Sequence, residues 1–125
     1  MLKFLGWVVL LIAVSGCDKQ ETIANGCFKG RLVIKGICKN DVVQLVEGKS
    51  DALLVESSWT YPTTGTVYRN VFAVDSKCTF PDSLKEGDEF YFTIDPGQME
   101  DCALCKALSP VPDTKLKIKI CVPGS

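Results

Sequence analysis

Histidine is absent from this chain of 125 residues. That removes the commonest general base and the commonest metal ligand together. Ser-His-Asp and Cys-His catalysis are excluded, as are zinc sites built on imidazole. An excess of charge is missing too: 14 basic residues stand against 15 acidic ones, a net of −1. Without a basic stripe the chain is a poor candidate for nucleic-acid binding. A membrane-spanning run is also lacking at the apolar N-terminus. Phe4 to Val14 would rise about 16 Å as a helix, against a hydrocarbon core of roughly 30 Å. No alternating strand–helix pattern occurs, which argues against a parallel sheet. There is no internal repeat and no low-complexity segment.

What is present begins with that N-terminal run. Lys3 precedes it, and Ser15 and Gly16 follow it as the small residues a signal peptidase requires. Cys17 comes next. The quartet Val14-Ser15-Gly16-Cys17 resembles the lipobox of bacterial lipoproteins. The resemblance implies that residues 1–16 are a signal peptide and that the Cys17 thiol carries a diacylglycerol group. Cys17 would then be an acylated N-terminus. Two or more acyl chains anchor stably, because each buried CH₂ contributes about 0.8 kcal/mol. The expected partner is therefore a membrane, reached through the N-terminal lipid. A conventional signal with an incidental cysteine is the plainer reading of the same residues. Residues 17–26 read as a polar tether. The nine residues from Asp18 to Gly26 reach at most about 30 Å, so the domain would sit close to the membrane. Loss of Lys3 with the signal makes the net charge about −2.

Residues 27–122 suit a single domain with a modest core. Of the seven cysteines, Cys17 is set aside for lipid. The others are Cys27, Cys38, Cys78, Cys102, Cys105 and Cys121. An even number in an exported domain predicts three disulfides, with the pairing open among fifteen arrangements.

The domain reads as strands. Phe28, Gly30, Leu32 and Ile34 alternate with Lys29, Arg31, Val33 and Lys35 up to Ile37, and Gly30 and Gly36 suit a bend or bulge. Lys39-Asn40-Asp41 is a turn before Val42 to Val46, and a second turn spans Glu47 to Asp51. Leu53 to Thr60 and Val67 to Val74 flank a hairpin-like connection, Pro62-Thr63-Thr64-Gly65. Phe90 to Ile94 follow the Glu86-Gly87-Asp88 turn. In the last strand Leu116, Ile118 and Ile120 alternate with Lys115, Lys117 and Lys119. The lysine row reads as the wet face of an edge strand. The expected fold is all-β: a small antiparallel barrel or sandwich of about six strands, OB-like barrels included, stapled by disulfides. One short helix is expected over Met99 to Leu108, where Ala103/Ala107 and Leu104/Leu108 have i,i+4 spacing and Pro110 ends the run.

Several of these pieces resemble a group of small, uncharacterised lipoproteins of Bacteroidota. They are Cys27-Phe28-Lys29-Gly30, Lys35-Gly36-Ile37-Cys38, Asn70-Val71-Phe72-Ala73, Phe80-Pro81 with Glu86-Gly87-Asp88-Glu89-Phe90, and Cys102-x-x-Cys105. The resemblance spans most of residues 27–122. It transfers no functional residues and implies that the cysteines are structural.

Three groups could carry chemistry. Cys102 and Cys105 at a helix start could be a redox pair, since the helix dipole lowers the first thiol's pKa. The strand-fed setting of such pairs is missing, so two cysteines bonded to distant partners is the simpler reading. Four thiolates around zinc would need a second close cysteine pair, which the sequence lacks; no metal site and no cofactor are expected. Asp88-Glu89 and Glu100-Asp101 read as solvated turn charges rather than acid/base pairs. Trp59, Tyr61 and Tyr68 gather around the Pro62–Gly65 turn, where aromatic rings can stack on a sugar or anchor a protein. The plain alternative is that they cover the core.

These readings converge on a lipid-anchored protein of the cell envelope. It is expected to be a non-enzymatic binding or structural module with a protein or glycan partner. The alternatives are a periplasmic thiol-disulfide redox protein and a lysozyme or protease inhibitor. Asp18 after the lipidated cysteine leaves the membrane and its face open, since different bacteria read that position differently.

Overall fold

A computed structural model describes residues 27–48, 54–97, 102–103 and 105–121. Cys17, the expected signal peptide 1–16 and the tether 17–26 lie outside the described residues. So do Glu100-Asp101 and the end of the expected domain at Val122.

The fold is all-β, as the alternation predicts. Among the described residues eight strands form: β1 (Phe28–Ile34), β2 (Val42–Glu47), β3 (Trp59–Thr60), β4 (Val67–Tyr68), β5 (Val71–Val74), β6 (Glu89–Ile94), β7 (Lys115–Leu116) and β8 (Ile118–Ile120). Six of them make one sheet in the order β7-β5-β2-β1-β6-β8, and β3 and β4 make a separate hairpin. The first and last members of the sheet are one stretch of chain interrupted at Lys117. Its first half pairs in parallel with β5 and its second half antiparallel with β6. One segment thus bridges both edges and nearly closes the sheet. The result is a five-stranded, OB-like barrel path.

Ser76 completes the seam where β5 has ended. Its hydroxyl donates to the Ile118 carbonyl at 3.0 Å and accepts the Ile118 N–H at 2.9 Å. One fully buried side chain does for Ile118 what a ladder neighbour would do. β7 and β8, which carry Lys115 and Lys119, are the two end strands of the sheet, each paired with one neighbour. Lys115 stands opposite Ala73, and Lys119 opposite Thr93.

The interior follows the period-two pattern. Phe28, Leu32, Val43, Leu45, Phe72, Val74, Phe90, Phe92 and Ile118 form the barrel core. Phe80, on the connection from β5 to β6, packs edge-on against Phe90. Phe92 lies at the centre of the aromatic set, with ring centroids 5.6 Å from Phe28, 5.6 Å from Phe72 and 5.8 Å from Phe90. Gly30 makes room for it. A Cβ there would lie 2.8 Å from Val43 Cγ1 and 2.9 Å from Phe92 Cε1. The pairing of β1 with β2 slips between Lys29 and Gly30, and again between Leu32 and Ile34. The second slip turns Ile34 outward, onto the same face as Val42.

Two expected strands are shorter than their sequence patterns. The stretch Val67–Val74 splits into β4 and β5 at Asn70, whose φ of 55° is left-handed and cannot continue a strand. The stretch before β3 is irregular from residue 54, with one bridge between Glu56 and Val71.

The helix expected over Met99–Leu108 does not form at the residues described within it: Cys102, Ala103 and 105–108 are irregular. Leu108, expected on an apolar stripe, is 90 % exposed. Helical spacing is overridden by covalent bonds that pull this segment toward two different places on the barrel. The one helical turn among the described residues is a 3-10 turn, Ile37–Lys39.

Candidate functional site

All six domain cysteines are bridged, as expected from their even number. Cys27 joins Cys121, Cys38 joins Cys105, and Cys78 joins Cys102. The Cα–Cα separations of 6.5, 5.5 and 5.7 Å suit disulfides. Cys102 and Cys105 are not bonded to each other. The redox reading of Cys102-x-x-Cys105 requires that bond, and here each sulfur is spent on a barrel anchor. The same bonds leave no four free thiolates for zinc. Among the described residues, no group of three or more His, Cys, Asp or Glu side chains is placed to hold a metal ion.

The three aromatics of the hairpin do come together. Trp59 and Tyr68 are cross-strand partners, with ring centroids 6.1 Å apart and nearly stacked. Tyr61 tilts against Trp59 at 5.6 Å. The turn between them is set by Tyr61, whose N–H donates to the Thr66 carbonyl and whose carbonyl accepts from Gly65 N–H. Gly65 sits at φ 78°, a conformation glycine adopts without strain.

This hairpin lies on the outer face of β1, β2 and β5. Trp59, Tyr61 and Tyr68, with Val33 and Val111, pack against Ile34, Val42 and Val71. These three are 4 %, 0 % and 0 % exposed, so the aromatics cover a second small core. All three aromatics are half-buried, which leaves part of each in solvent. In OB barrels the face of the second and third strands is a common ligand platform. Here those strands are β2 and β5, and the chain's own hairpin occupies that face. A ligand would meet the exposed side of the aromatics rather than the sheet beneath.

Beside this cover lies a small recess of about 40 Å³, open to solvent, whose lining includes Asn40, Asp41, Asp75, Lys77, Val111 and Lys115. Its volume is below that of common small-molecule pockets. Asn40 and Asp41 are 7 % and 4 % exposed. Asn40 donates to the carbonyls of Ile37 and Ala107, and its Oδ1 accepts from Lys77 Nζ at 2.9 Å. Asp41 Oδ1 accepts from Gly36 N–H at 3.1 Å. Burial pushes the Asp41 carboxyl above its ordinary range, against the opposing pull of the Gly36 hydrogen bond. The sequence reads Asn40 and Asp41 as ordinary turn residues. Their burial depends on segments 75–77 and 107–115, so no local signal announces it.

On the β1–β6 side, Glu89 accepts from Arg31 and pairs with Lys29 Nζ at 3.1 Å. Hydrogen bonds from Arg31 and then Lys29 hold Glu89 below the ordinary carboxylate range, and Glu89 in turn raises Lys29. Asp88 instead accepts from Lys85 N–H in the preceding turn. Asp88, in the turn before β6, and Glu89, the first residue of β6, thus face different partners and form no acid/base pair.

Comparison with known protein families, curated proteins and solved structures finds no match.

Proposed function

We propose that this chain is a lipid-anchored protein of a bacterial cell envelope. It serves there as a non-enzymatic module that presents the Trp59/Tyr61/Tyr68 hairpin to a protein or glycan partner. One observation carries the reading. Three disulfides use six of the seven cysteines, and the seventh is the cysteine of the lipobox-like quartet. Fully bridged thiols favour an oxidising compartment outside the cytoplasm. Cys17 stands apart from them by motif, and acylation there would hold the domain at a membrane face. The hairpin supports the binding half of the proposal, because three half-buried aromatics side by side form a rigid contact surface.

The test is incorporation of labelled palmitate by the native chain and by Cys17→Ser. The native protein is expected to take up label, and Cys17→Ser to lose it entirely. Label retained by Cys17→Ser, or absent from the native protein, overturns the anchor. Membrane partition is a poorer readout, because an uncleaved apolar segment can itself hold a precursor in the membrane.

A further inference from the structure

Cys102 and Cys105 lie three positions apart on one strap, yet each is bonded to a different anchor. Cys102 is tied to Cys78 on the connection from β5 to β6, and Cys105 to Cys38 in the 3-10 turn. Both strap cysteines are exposed, whereas Cys27 in the third bridge is 6 % exposed. Between them and Val111, which packs against the outer-face core, a further hold is the bond from Asn40 Nδ2 to the Ala107 carbonyl.

Two features bias how this double staple opens. The Cys102 N–H donates to Cys78 Sγ at 3.2 Å. A donor at sulfur stabilises the thiolate, which makes Cys78 the better leaving group and directs attack onto the exposed Cys102. The anchor of the other bridge is strained. Cys38 and Lys39 take φ of 55° and 59°, consecutive left-handed residues without glycine. The turn is held there by the Cys38 bridge, by Lys39 donating to the Phe80 carbonyl, and by its ion pair with Asp82.

We propose that the strap is a redox-released clasp, in which reduction of one bridge opens both. A dithiol reductant attacks Cys102 Sγ. The bond to Cys78 breaks, and Cys78 leaves as a thiolate that takes a proton from water. The second thiolate of the reductant attacks its own sulfur in the mixed disulfide, closing the oxidised reductant and releasing the Cys102 thiolate. Cys102 then attacks Cys105 Sγ, three residues away. The Cys102–Cys105 bond forms, the Cys38–Cys105 bond breaks, and Cys38 leaves and is protonated. Two electrons from one dithiol thus exchange two barrel bridges for one bridge within the strap and two thiols, Cys38 and Cys78. The short span between Cys102 and Cys105 favours this capture over loss of the thiolate to solvent. Relief of the left-handed turn at Cys38 and Lys39 favours it further. The freed turn is the one that carries Asn40 and Asp41 into the recess, so the exchange would remodel that surface while Cys27–Cys121 still ties the barrel.

The test treats the native domain with one equivalent of dithiothreitol, traps thiols with N-ethylmaleimide and maps peptides without reduction. The expected two-thiol species carries label on Cys38 and Cys78, a Cys102–Cys105 bond within one peptide, and an intact Cys27–Cys121. Label on Cys78 and Cys102 with Cys38–Cys105 intact overturns the proposal. So does first loss of Cys27–Cys121, or direct passage to six thiols without a two-thiol form. A pair of variants asks the same question without reductant. In Cys78→Ala the single domain thiol is expected at Cys38, whereas in Cys102→Ala it stays at Cys78. A thiol that remains on Cys102 in Cys78→Ala contradicts the exchange.

Discussion

Phe92→Ala is expected to destabilise the domain by about 3–5 kcal/mol, the range for truncating a buried phenylalanine. Phe92 is fully buried and its ring meets those of Phe28, Phe72 and Phe90. These partners come from β1, β5 and β6, so the ring ties opposite walls of the barrel. Collapse into the space is hindered on the side of Gly30, which has no side chain to move in. For a domain of this size each kcal/mol lowers Tm by roughly 4–8 °C. A fall on the order of 15 °C or more is therefore expected in a thermal melt followed by circular dichroism. A loss below about 1 kcal/mol would mean that Phe92 is not at the centre of the core.

Removing Cys27–Cys121 is the second large change. The bridge spans a sequence separation of 94, against 24 for Cys78–Cys102. In the chain-entropy account a loop near 100 residues is worth about 4.7 kcal/mol, and one near 15 residues about 3 kcal/mol. The long bridge also joins the residue before β1 to the residue after β8, next to the Cys121 N–H bond to the Tyr91 carbonyl. Cys27→Ala with Cys121→Ala is thus expected to lower urea stability by about 2–5 kcal/mol. The loss should exceed that of the Cys78→Ala, Cys102→Ala double variant. The reverse order would place the main constraint in the strap rather than at the chain ends.

The ordering of effects mirrors what could be read from the residues. The core face was legible because period two survives in β1 as far as Leu32, in β2 and in β6, where Leu32, Val43, Phe90 and Phe92 point inward. The even cysteine count foretold three bridges, but pairing depends on which loops meet in space, and spacing does not encode that. The closing seam was illegible for a similar reason. Lys115 to Ile120 look like one edge strand, and only the barrel's curvature lets its halves pair on opposite sides. Ala103/Ala107 and Leu104/Leu108 carry a true helical spacing. That preference is worth tenths of a kcal/mol per residue and yields to two covalent anchors.

The aromatic trio was visible as a cluster because the turn Pro62–Gly65 folds its flanks together locally. That it lies over Ile34, Val42 and Val71 was not visible. The bulge that turns Ile34 outward, between Leu32 and Ile34, arises from strand pairing and not from composition. The recess at Asn40 and Asp41 was hidden because the residues that enclose it, such as Lys77 and Ala107, are distant in sequence.

The central claim is a division of labour among the cysteines, six for the barrel and Cys17 for the lipid. Non-reducing peptide mapping of the protein taken from cells, with thiols blocked at lysis, tests it most directly. The account predicts Cys27–Cys121, Cys38–Cys105 and Cys78–Cys102 as the linked pairs, and an N-terminal peptide that begins at an acylated Cys17. A Cys102–Cys105 link in the untreated protein, or an N-terminal peptide in which Cys17 is internal and unmodified, would contradict it.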